Sequence, residues 1–473
     1  MGRIGSLGHY ITMFATCRPR KSVIVGRKAE MALAFGARKG QSVAGFQAGS
    51  TAERREGTGK ATSMGKTLLM IGAFDTKGPE YAFLREAILA RGHAVLALNT
   101  GVLGTTGLFP VDVEADEVAA AAGADLEALR SAGDRGRAMK AMAAGAPVVA
   151  RRLWEAGRFD GAIGMGGTGG TTVVASALRA LPVGVPKVCV STAAGGDVSA
   201  YVGTKDVTMI PSIVDVAGVN RVSRLIFTRA AGAVCGMVEA DVPAAGDDRP
   251  VITASMFGNT TACVDACRDA LDKAGYEVLV FHATGTGGRA MESLVREGLV
   301  DAVLDITTTE WADTVCGGVF DAGRDRLSAA GEMGLPHLIV PGCVDMANFG
   351  GPETVPPKYK DAGRTFYEWN PSVTLMRTNV AENEQMGKAF AEKANAAKGP
   401  VAFLIPLRGV SILDGDGEIF CDRQADAAMF DAIKANLNPD IEVVEFDCNI
   451  NAPEFAAKAV EMMLALIATS KAK

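Results

Sequence analysis

The chain of 473 residues is 48% hydrophobic and 22% charged, with a formal net charge of −6. These values are typical of a globular protein with two or three domains, and the mildly acidic balance argues against direct binding to nucleic acid. Nine cysteines without the paired spacing of zinc sites favour reduced thiols in a cytoplasmic protein, and no apolar run approaches the ~20 residues of a membrane span.

Residues 1–63 differ in composition from the rest of the chain. They carry eleven Lys/Arg and three acidic residues, a net charge of +8 that leaves −14 for residues 64–473. A targeting peptide, or a start codon upstream of a true start at Met64, explains such a segment. The second explanation is favoured, and we expect residues 1–63 to be a disordered or spurious N-terminal extension.

The first predicted elements are a buried strand over Lys66–Ala73 and a polar turn over Phe74–Pro79. Asp75, Thr76 and Lys77 lie in this turn, at the carboxyl end of the strand. Open α/β sheets bind their ligands at that end of the strands. We therefore expect the turn to contribute to a ligand site.

A strand over Ala94–Leu98 and a long helix from about Asp134 to Gly157 precede the segment Phe159–Thr172, FDGAIGMGGTGGTT. Its apolar start has the length of a strand, five glycines and three threonines follow, and apolar residues then recur at helical spacing. A glycine turn between strand and helix leaves N–H groups free at the helix N-terminus, where they and the helix dipole favour phosphate. The segment predicts an anion site, and a tight turn without a ligand is the alternative.

The first half ends with a strand over Pro186–Val190, a polar turn from Ser191 to Asp197, a short strand over Val207–Ile210 and a helix over Val219–Thr228. Cys235–Pro250 is predicted to be a linker. Because strands alternate with helices, the pattern predicts an α/β fold with a parallel, doubly wound sheet.

The same pattern restarts after the linker. A strand over Val251–Met256, a helix over Thr260–Ala274 and a strand over Glu277–Phe281 lead to a second glycine-rich turn, His282–Arg289. The two halves are therefore expected to be related folds. Further strands are predicted over Ala302–Ile306, His337–Val340, Val401–Ile405 and Ile441–Phe446.

Four strand ends of the second half carry residue types suited to catalysis: His282, Glu310, Asp345 and Arg408. Parallel strands end at one edge of their sheet, so we expect these side chains to converge on a cleft. A histidine can act as a general base, the two acids can move protons, and an arginine can hold a carboxylate bidentately. A hydrogen-bonded structural role is the alternative for the histidine.

Several long segments make the sequence resemble the Tm-1-like ATP-binding family (UPF0261) of bacterial and plant proteins. They are GMGGTGGTT, LPVGVPKVCVSTAAGGDVSAYVG, VFHATGTGGRAME, LDITTTEWAD and VDMANFGGPETVPPKY. The resemblance runs from about Lys66 to Leu466, which leaves residues 1–63 outside it. It implies two Rossmann-like domains with largely parallel sheets, an ATP-binding domain over 64–240 and a second α/β domain over 250–473.

The ATP site that the resemblance implies maps onto the motifs of the first half. Asp75 is the candidate ligand for Mg²⁺, because this ion usually takes one or two carboxylates together with phosphate oxygens. The alternative role for Asp75 is a helix N-cap. The expected cofactor-binding residues are Asp75, Thr76, Lys77, Gly166, Gly167, Thr168, Gly169, Gly170, Thr171, Ser191, Thr192 and Gly195.

NAD is the rival ligand, because Gly164-x-Gly166-x-x-Gly169 fits the dinucleotide fingerprint. That fingerprint needs an acidic residue about twenty positions later, where this chain has Val188–Thr192, so ATP is favoured. In the second half we expect a small anionic metabolite, a carboxylate or a phosphate. The expected substrate-binding residues are Thr284, Gly285, Gly287, Gly288 and Arg289.

Three classes of function follow from these expectations. The first is a metabolic enzyme that uses or is regulated by ATP and acts on the anionic metabolite in its second domain. The second is a non-catalytic ATP-binding protein that contacts another macromolecule, as the resemblance to the plant members suggests. The third is an enzyme of carbonyl or acyl chemistry in which the nucleotide is structural. The expected polar cleft favours an enzyme, and a homodimer is expected.

Overall fold

The computed structural model describes residues 65–243 and 249–471. The proposed N-terminal extension over residues 1–63 lies outside the described residues. Two parallel sheets and one small antiparallel sheet organise the described chain. The predicted α/β fold with two Rossmann-like, parallel sheets is therefore confirmed.

The strands of the first half are β1 (Thr67–Gly72), β2 (Ala94–Asn99), β3 (Gly161–Gly166), β4 (Lys187–Ser191) and β5 (Thr208–Pro211). They form sheet A, in which every neighbouring pair is parallel and the order is β2-β1-β3-β4-β5. Because apolar residues occupy consecutive positions of β1 and β3, both faces of these strands are buried under helices.

Six helices connect the strands of sheet A, and a seventh follows β5: α1 (Phe74–Leu89), α2 (Ala115–Ala121), α3 (Leu126–Ala132), α4 (Arg135–Glu155), α5 (Thr168–Arg179), α6 (Ser199–Val202) and α7 (Arg221–Glu239). Apolar residues of α4 and α5 cover one face of the sheet, and those of α1 and α7 cover the other. Asp134 begins α4 by accepting a hydrogen bond from the Arg137 N–H.

Helix α7 is longer than the sequence predicted. It continues to Glu239, so that part of the segment interpreted as a linker from Cys235 is helical. Ala230, Ala231 and Val234 are buried in the core of sheet A. Small and apolar side chains on this face favour continued packing on the sheet, which outweighs the weak local helix signal.

The second half contains nine strands: β6 (Val251–Met256), β7 (Glu277–His282), β8 (Ala302–Thr307), β9 (His337–Gly342), β10 (Met346–Phe349), β11 (Phe366–Asn370), β12 (Val373–Arg377), β13 (Val401–Pro406) and β14 (Glu442–Phe446). Six of them form sheet B, which is parallel and has the order β14-β13-β9-β8-β6-β7. Read from its other edge, sheet B repeats the order of sheet A with one added strand, as expected for related folds.

The helices of the second half are α8 (Thr261–Lys273), α9 (Thr286–Arg296), α10 (Glu310–Cys316), α11 (Ala329–Met333), α12 (Pro357–Asp361), α13 (Val380–Asn395), α14 (Arg423–Asn436) and α15 (Pro453–Lys471). Helices α8 and α15 pack on one face of sheet B, and α13 and α14 pack on the other. No helix in the described ranges is long and apolar enough to cross a lipid bilayer.

Strands β10, β12 and β11 form the antiparallel sheet C, which the sequence did not predict. Strand β10 begins four residues after β9 ends, so sheet C lies beside the carboxyl edge of sheet B. Cys343 of this connection and Met346 of β10 form one apolar cluster with Leu375 of β12. The cluster covers an edge at which an open cleft was expected.

Candidate functional site

A cleft of about 770 Å³ lies at the carboxyl ends of β1 and β3. Along sheet A the chain first proceeds from β1 outward to β2 and then continues on the other side of β1 with β3. The space outside the strand ends at such a reversal is the usual ligand site of open α/β sheets. The cleft of the first half therefore lies at the strand ends where the sequence predicted a ligand site.

Tyr81 of α1 holds the ends of the two strands that form the cleft. Its buried hydroxyl accepts a hydrogen bond from the Met165 N–H (2.7 Å) and lies 2.7 Å from the Ile71 carbonyl oxygen. The phenol ring fills the space beside Gly72, where an added Cβ would lie 2.0 Å from ring atoms. Burial raises the pKa of Tyr81, so the hydroxyl keeps its proton.

The glycine turn begins α5 and forms one wall of the cleft. The amides of Thr168, Gly169 and Gly170 belong to the first turn of α5, where N–H groups have no acceptor within the helix. Gly166 is needed for packing, because an added Cβ would lie 2.7 Å from Gly170. At Gly167, however, an added Cβ would meet no atom closer than 3.8 Å.

Gly167, like Gly170, is therefore a glycine of this turn that the packing of the protein does not require. Its φ of −70° is accessible to any residue, and neither packing nor backbone conformation excludes a side chain. A glycine at such a position suits the close approach of a ligand to the backbone. The cradle fits a phosphate group bound at the N-terminus of α5.

The polar turn after β1 supplies another wall. Asp75, Thr76 and Lys77 all line the cleft. The Asp75 carboxylate accepts hydrogen bonds from the N–H groups of Thr76 (2.6 Å) and Leu103 (2.8 Å), which ties the loop after β2 to α1. Ala73, and not Asp75, is the N-cap of α1.

The lining residues missed at the sequence level include two charged side chains beside the glycine turn, Arg135 and Asp215. An Arg135 nitrogen lies 3.7 Å from the Cβ position of Gly169, and an Asp215 oxygen lies 3.8 Å from that of Gly167. Within the described chain, neither Arg135 nor Lys77 forms an ion pair through its side chain. Two unpaired cations beside a helix N-terminus complement a phosphate chain. Arg135 is the first residue of the helix predicted from Asp134. Hydrophobic periodicity predicts such a helix but does not reveal which loop lies beside its N-terminus.

The remaining residues expected to bind the cofactor occupy different surroundings. The hydroxyls of Thr171 and Ser191 are buried and hydrogen-bonded to each other (2.6 Å) behind the turn. The Thr192 hydroxyl lies 3.9 Å from the Gly167 Cβ position and so remains beside the cleft. Gly195 is exposed and is not among the residues that line the cleft.

The donor set of the cleft fits Mg²⁺ only together with a ligand. Three carboxylates line the cleft, and Asp134 is engaged as the N-cap of α4, which leaves Asp75 and Asp215 as candidate ligands. No described cluster of three or more His, Cys, Asp and Glu residues forms a complete metal site. Mg²⁺ commonly binds through one or two carboxylates and substrate phosphates, keeping several waters. Asp215, which has no hydrogen bond or ion pair among the described residues, is the freer of the two.

The second glycine turn has the same shape as the first, but a carboxylate of the chain fills it. Glu310 Oε1 accepts hydrogen bonds from the N–H groups of Gly285 (2.7 Å) and Gly288 (3.1 Å) at the start of α9. An added Cβ at Gly288 would lie 2.2 Å from the Glu310 carboxylate. The amides expected to bind a substrate anion therefore hold Glu310 instead.

Arg326 neutralises this internal carboxylate. Its Nε donates to Glu310 Oε2 (2.6 Å), and its other nitrogens donate to Asp305 and Glu292. Burial raises the pKa of Glu310 despite Arg326. Burial also opposes ionisation of Asp305, but Arg326 and His337 lower the pKa of that carboxyl below its usual range.

The other turn residues of the second half lie near this cluster. Thr284 donates its N–H to the His282 carbonyl (2.8 Å), and an added Cβ at Gly287 would lie 1.9 Å from the same carbonyl oxygen. The Arg289 guanidinium donates to the Asp321 carbonyl (2.7 Å). These contacts explain the turn sequence by local packing.

The four strand-end residues expected to converge are spread along sheet B. From β13 to β7 there are four inter-strand steps, which place Arg408 and His282 about 19 Å apart at ~4.8 Å per step. Arg408 is exposed and pairs with Asp416 and Asp447. His282 is exposed on the edge strand against Phe257. One small substrate cannot contact all four residues.

Asp345 lies in the connection between β9 and β10 and is completely buried. Its Oδ2 accepts a hydrogen bond from the Ser411 hydroxyl (2.8 Å), and its Oδ1 has no partner among the described residues. Burial raises its pKa to about 6, despite Arg377. Burial, with the nearby Asp345 and Asp426 charges, raises the pKa of Asp414 to about 8.

We expect the stability of the protein to fall as pH rises from 4 to 8, partly through Asp345. Since its pKa is higher in the folded than in the unfolded chain, the folded state binds more protons over this window and loses stability on deprotonation. Asp345→Asn should remove about 2 kcal/mol of this loss between pH 4 and 7. Urea unfolding of both proteins at each pH measures it, and parallel pH profiles would contradict the assignment.

Two family models match the chain. One, described as Uncharacterised protein family (UPF0261) N-terminal domain, matches residues 66–243, and the other, the UPF0261 C-terminal domain, matches residues 249–467. A UPF0261 protein of Clostridium tetani is 45% identical over 85% of this chain and 99% of its own length.

The similarity extends to plants. The ToMV resistance protein Tm-1(GCR237) of Solanum lycopersicum is 36% identical over 87% of this chain and 57% of its own length. Among solved structures, an esterase domain from Rhodothermus marinus aligns with 49% of this chain and 90% of its own, at a TM-score of 0.27 and 16% identity. That structural similarity is too weak to support a conclusion.

Proposed function

The chain belongs to the UPF0261 family, and we propose that it binds ATP with Mg²⁺ in the cleft at the carboxyl ends of β1 and β3. The observation that carries the proposal is Gly167. Its absent side chain leaves open space next to the first amides of α5, and no contact within the described chain requires a glycine there. A bound phosphate explains both features.

The cleft offers a suitable partner for each part of the nucleotide. The amides of α5 and the cations of Lys77 and Arg135 suit the phosphates. The apolar side chains of Leu129 and Met139 line the same cleft and suit the base. Mg²⁺ would neutralise phosphate charge beside Asp75 and Asp215.

ATP is favoured over NAD by the end of β4. A dinucleotide site of this type places a carboxylate there to bind the ribose hydroxyls. In this chain the position is Ser191, whose buried hydroxyl is engaged by Thr171. The next residue, Thr192, is also uncharged.

Thermal unfolding with and without ligands tests the proposal. Mg-ATP at 100 times its Kd should stabilise the protein by about 2.7 kcal/mol, whereas NAD at the same concentration should give a smaller shift. A clear shift with NAD and none with Mg-ATP would reverse the ranking. No shift with either would refute a nucleotide site.

Two roles are compatible with ATP binding. We propose first an enzyme that acts on a small metabolite in its second half. The second candidate is a nucleotide-regulated interaction protein, because the tomato relative is named a ToMV resistance protein. Turnover of ATP with a panel of small metabolites supports the enzyme, and stoichiometric binding without turnover supports the interaction protein.

A further inference from the structure

A second open volume lies in the second half of the chain, on sheet C. This groove of about 530 Å³ falls within the usual size of small-molecule sites. It is separate from the nucleotide cleft, with which it shares no lining residue. Its lining residues are Pro352, Val355, Lys360, Phe366, Tyr367, Glu368 and Thr374.

The groove contains a hydroxyl group that the protein leaves without a partner. Thr374 is 2% exposed, and its Oγ1 forms no hydrogen bond within the described residues. Its backbone belongs to the central strand of sheet C, between Phe349 and Glu368 on the neighbouring strands. A buried hydroxyl without a partner costs free energy, and Thr374 is a lining residue of the groove, so a polar ligand atom that reaches this oxygen would supply the missing partner.

Two opposite charges line the same groove without pairing. Lys360 lies on α12 and Glu368 on β11, and neither forms an ion pair within the described chain. Thr374 faces Glu368 directly across the β11–β12 ladder, so their side chains share one face of sheet C. The walls beside them, Pro352 and Phe366, are apolar.

We propose that this groove binds a small zwitterion with an apolar body, such as an aromatic amino acid or an apolar dipeptide. The ligand's ammonium group would face Glu368, and its carboxylate would face Lys360. The Thr374 hydroxyl would hydrogen-bond to a polar atom of the ligand, and the apolar body would lie against Phe366. The proposal moves the metabolite site of the second half from the glycine turn, which Glu310 fills, to sheet C.

Calorimetric titration with L-phenylalanine, L-leucine and L-phenylalanyl-L-leucine tests the proposal. At least one should bind saturably. Analogues of that ligand that lack either charge should bind at least about fivefold more weakly. Failure of all three probes to saturate would overturn the proposal. Because the titration contains no nucleotide, this failure is distinct from failure of ATP binding.

Variants locate the binding. Lys360→Gln, Glu368→Gln and Thr374→Val should each weaken binding about fivefold, whereas Lys358→Gln, on the same helix but outside the groove, should not. Thr374→Val should also raise the Tm of the free protein, on the order of 2 °C, because it removes an unpartnered hydroxyl. Unchanged binding in all three variants, or a lowered Tm for Thr374→Val, would overturn the assignment.

Discussion

Replacing Arg326 by methionine is expected to destabilise the protein by about 3–5 kcal/mol. Arg326 is 1% exposed, and its guanidinium donates hydrogen bonds to the carboxylates of Glu292, Asp305 and Glu310. Methionine matches much of its volume but leaves three buried carboxylates without their shared cation. The loss of stability therefore reflects uncompensated buried charge and not a cavity.

Urea unfolding of Arg326→Met and wild type measures this effect. The matched control is Arg408→Met, which removes an arginine that pairs with Asp416 and Asp447 at the surface. Exposed ion pairs contribute little to the free energy of unfolding, so the control should unfold at the same urea concentration as wild type. Equal behaviour of the two variants would contradict the role of Arg326 as the cation of an internal cluster.

Gly167→Asp is expected to abolish stabilisation by Mg-ATP while leaving the free protein folded. Gly167 is the N-cap residue of α5, a position that favours aspartate, and an added Cβ has space there. The new carboxylate would accept hydrogen bonds from the first amides of α5 and would repel phosphate charge. The Tm of the free protein should therefore stay or rise as the gain of about 2.7 kcal/mol from ligand is lost.

A carboxylate elsewhere on the surface is the control for this variant. Gly236 is exposed on α7, and an added Cβ there has nothing within 4 Å. Gly236→Asp should retain the response to Mg-ATP. A retained response in Gly167→Asp would place the nucleotide away from the glycine turn.

The sequence predicted those parts of the first-half cleft that depend on local order along the chain. Apolar runs identify β1 and β3, and parallel sheet geometry then brings the turns at Asp75 and Gly167 to one edge. The contributions of Tyr81, Arg135 and Asp215 were missed, because they depend on how side chains from distant helices and loops pack at the strand ends. No periodicity in the sequence records that packing.

The second half shows more clearly what the sequence could not predict. The turn at Gly285 has the same strand–glycine–helix pattern as the first, yet the carboxylate of Glu310 fills it from the next strand end. The strand–glycine–helix pattern predicts where backbone amides are free, but it does not show which group will accept their hydrogen bonds. Sheet C was also missed, because β11 is a short and mostly exposed strand without alternation of polar and apolar residues.

We propose that the first glycine turn binds the phosphates of ATP, whereas Glu310 fills the second turn. Calorimetric titration of wild type and Gly167→Asp with Mg-ATP tests it most directly. The structure predicts one ATP per chain for wild type and none for the variant. Two sites per chain, or unchanged binding in Gly167→Asp, would contradict the claim.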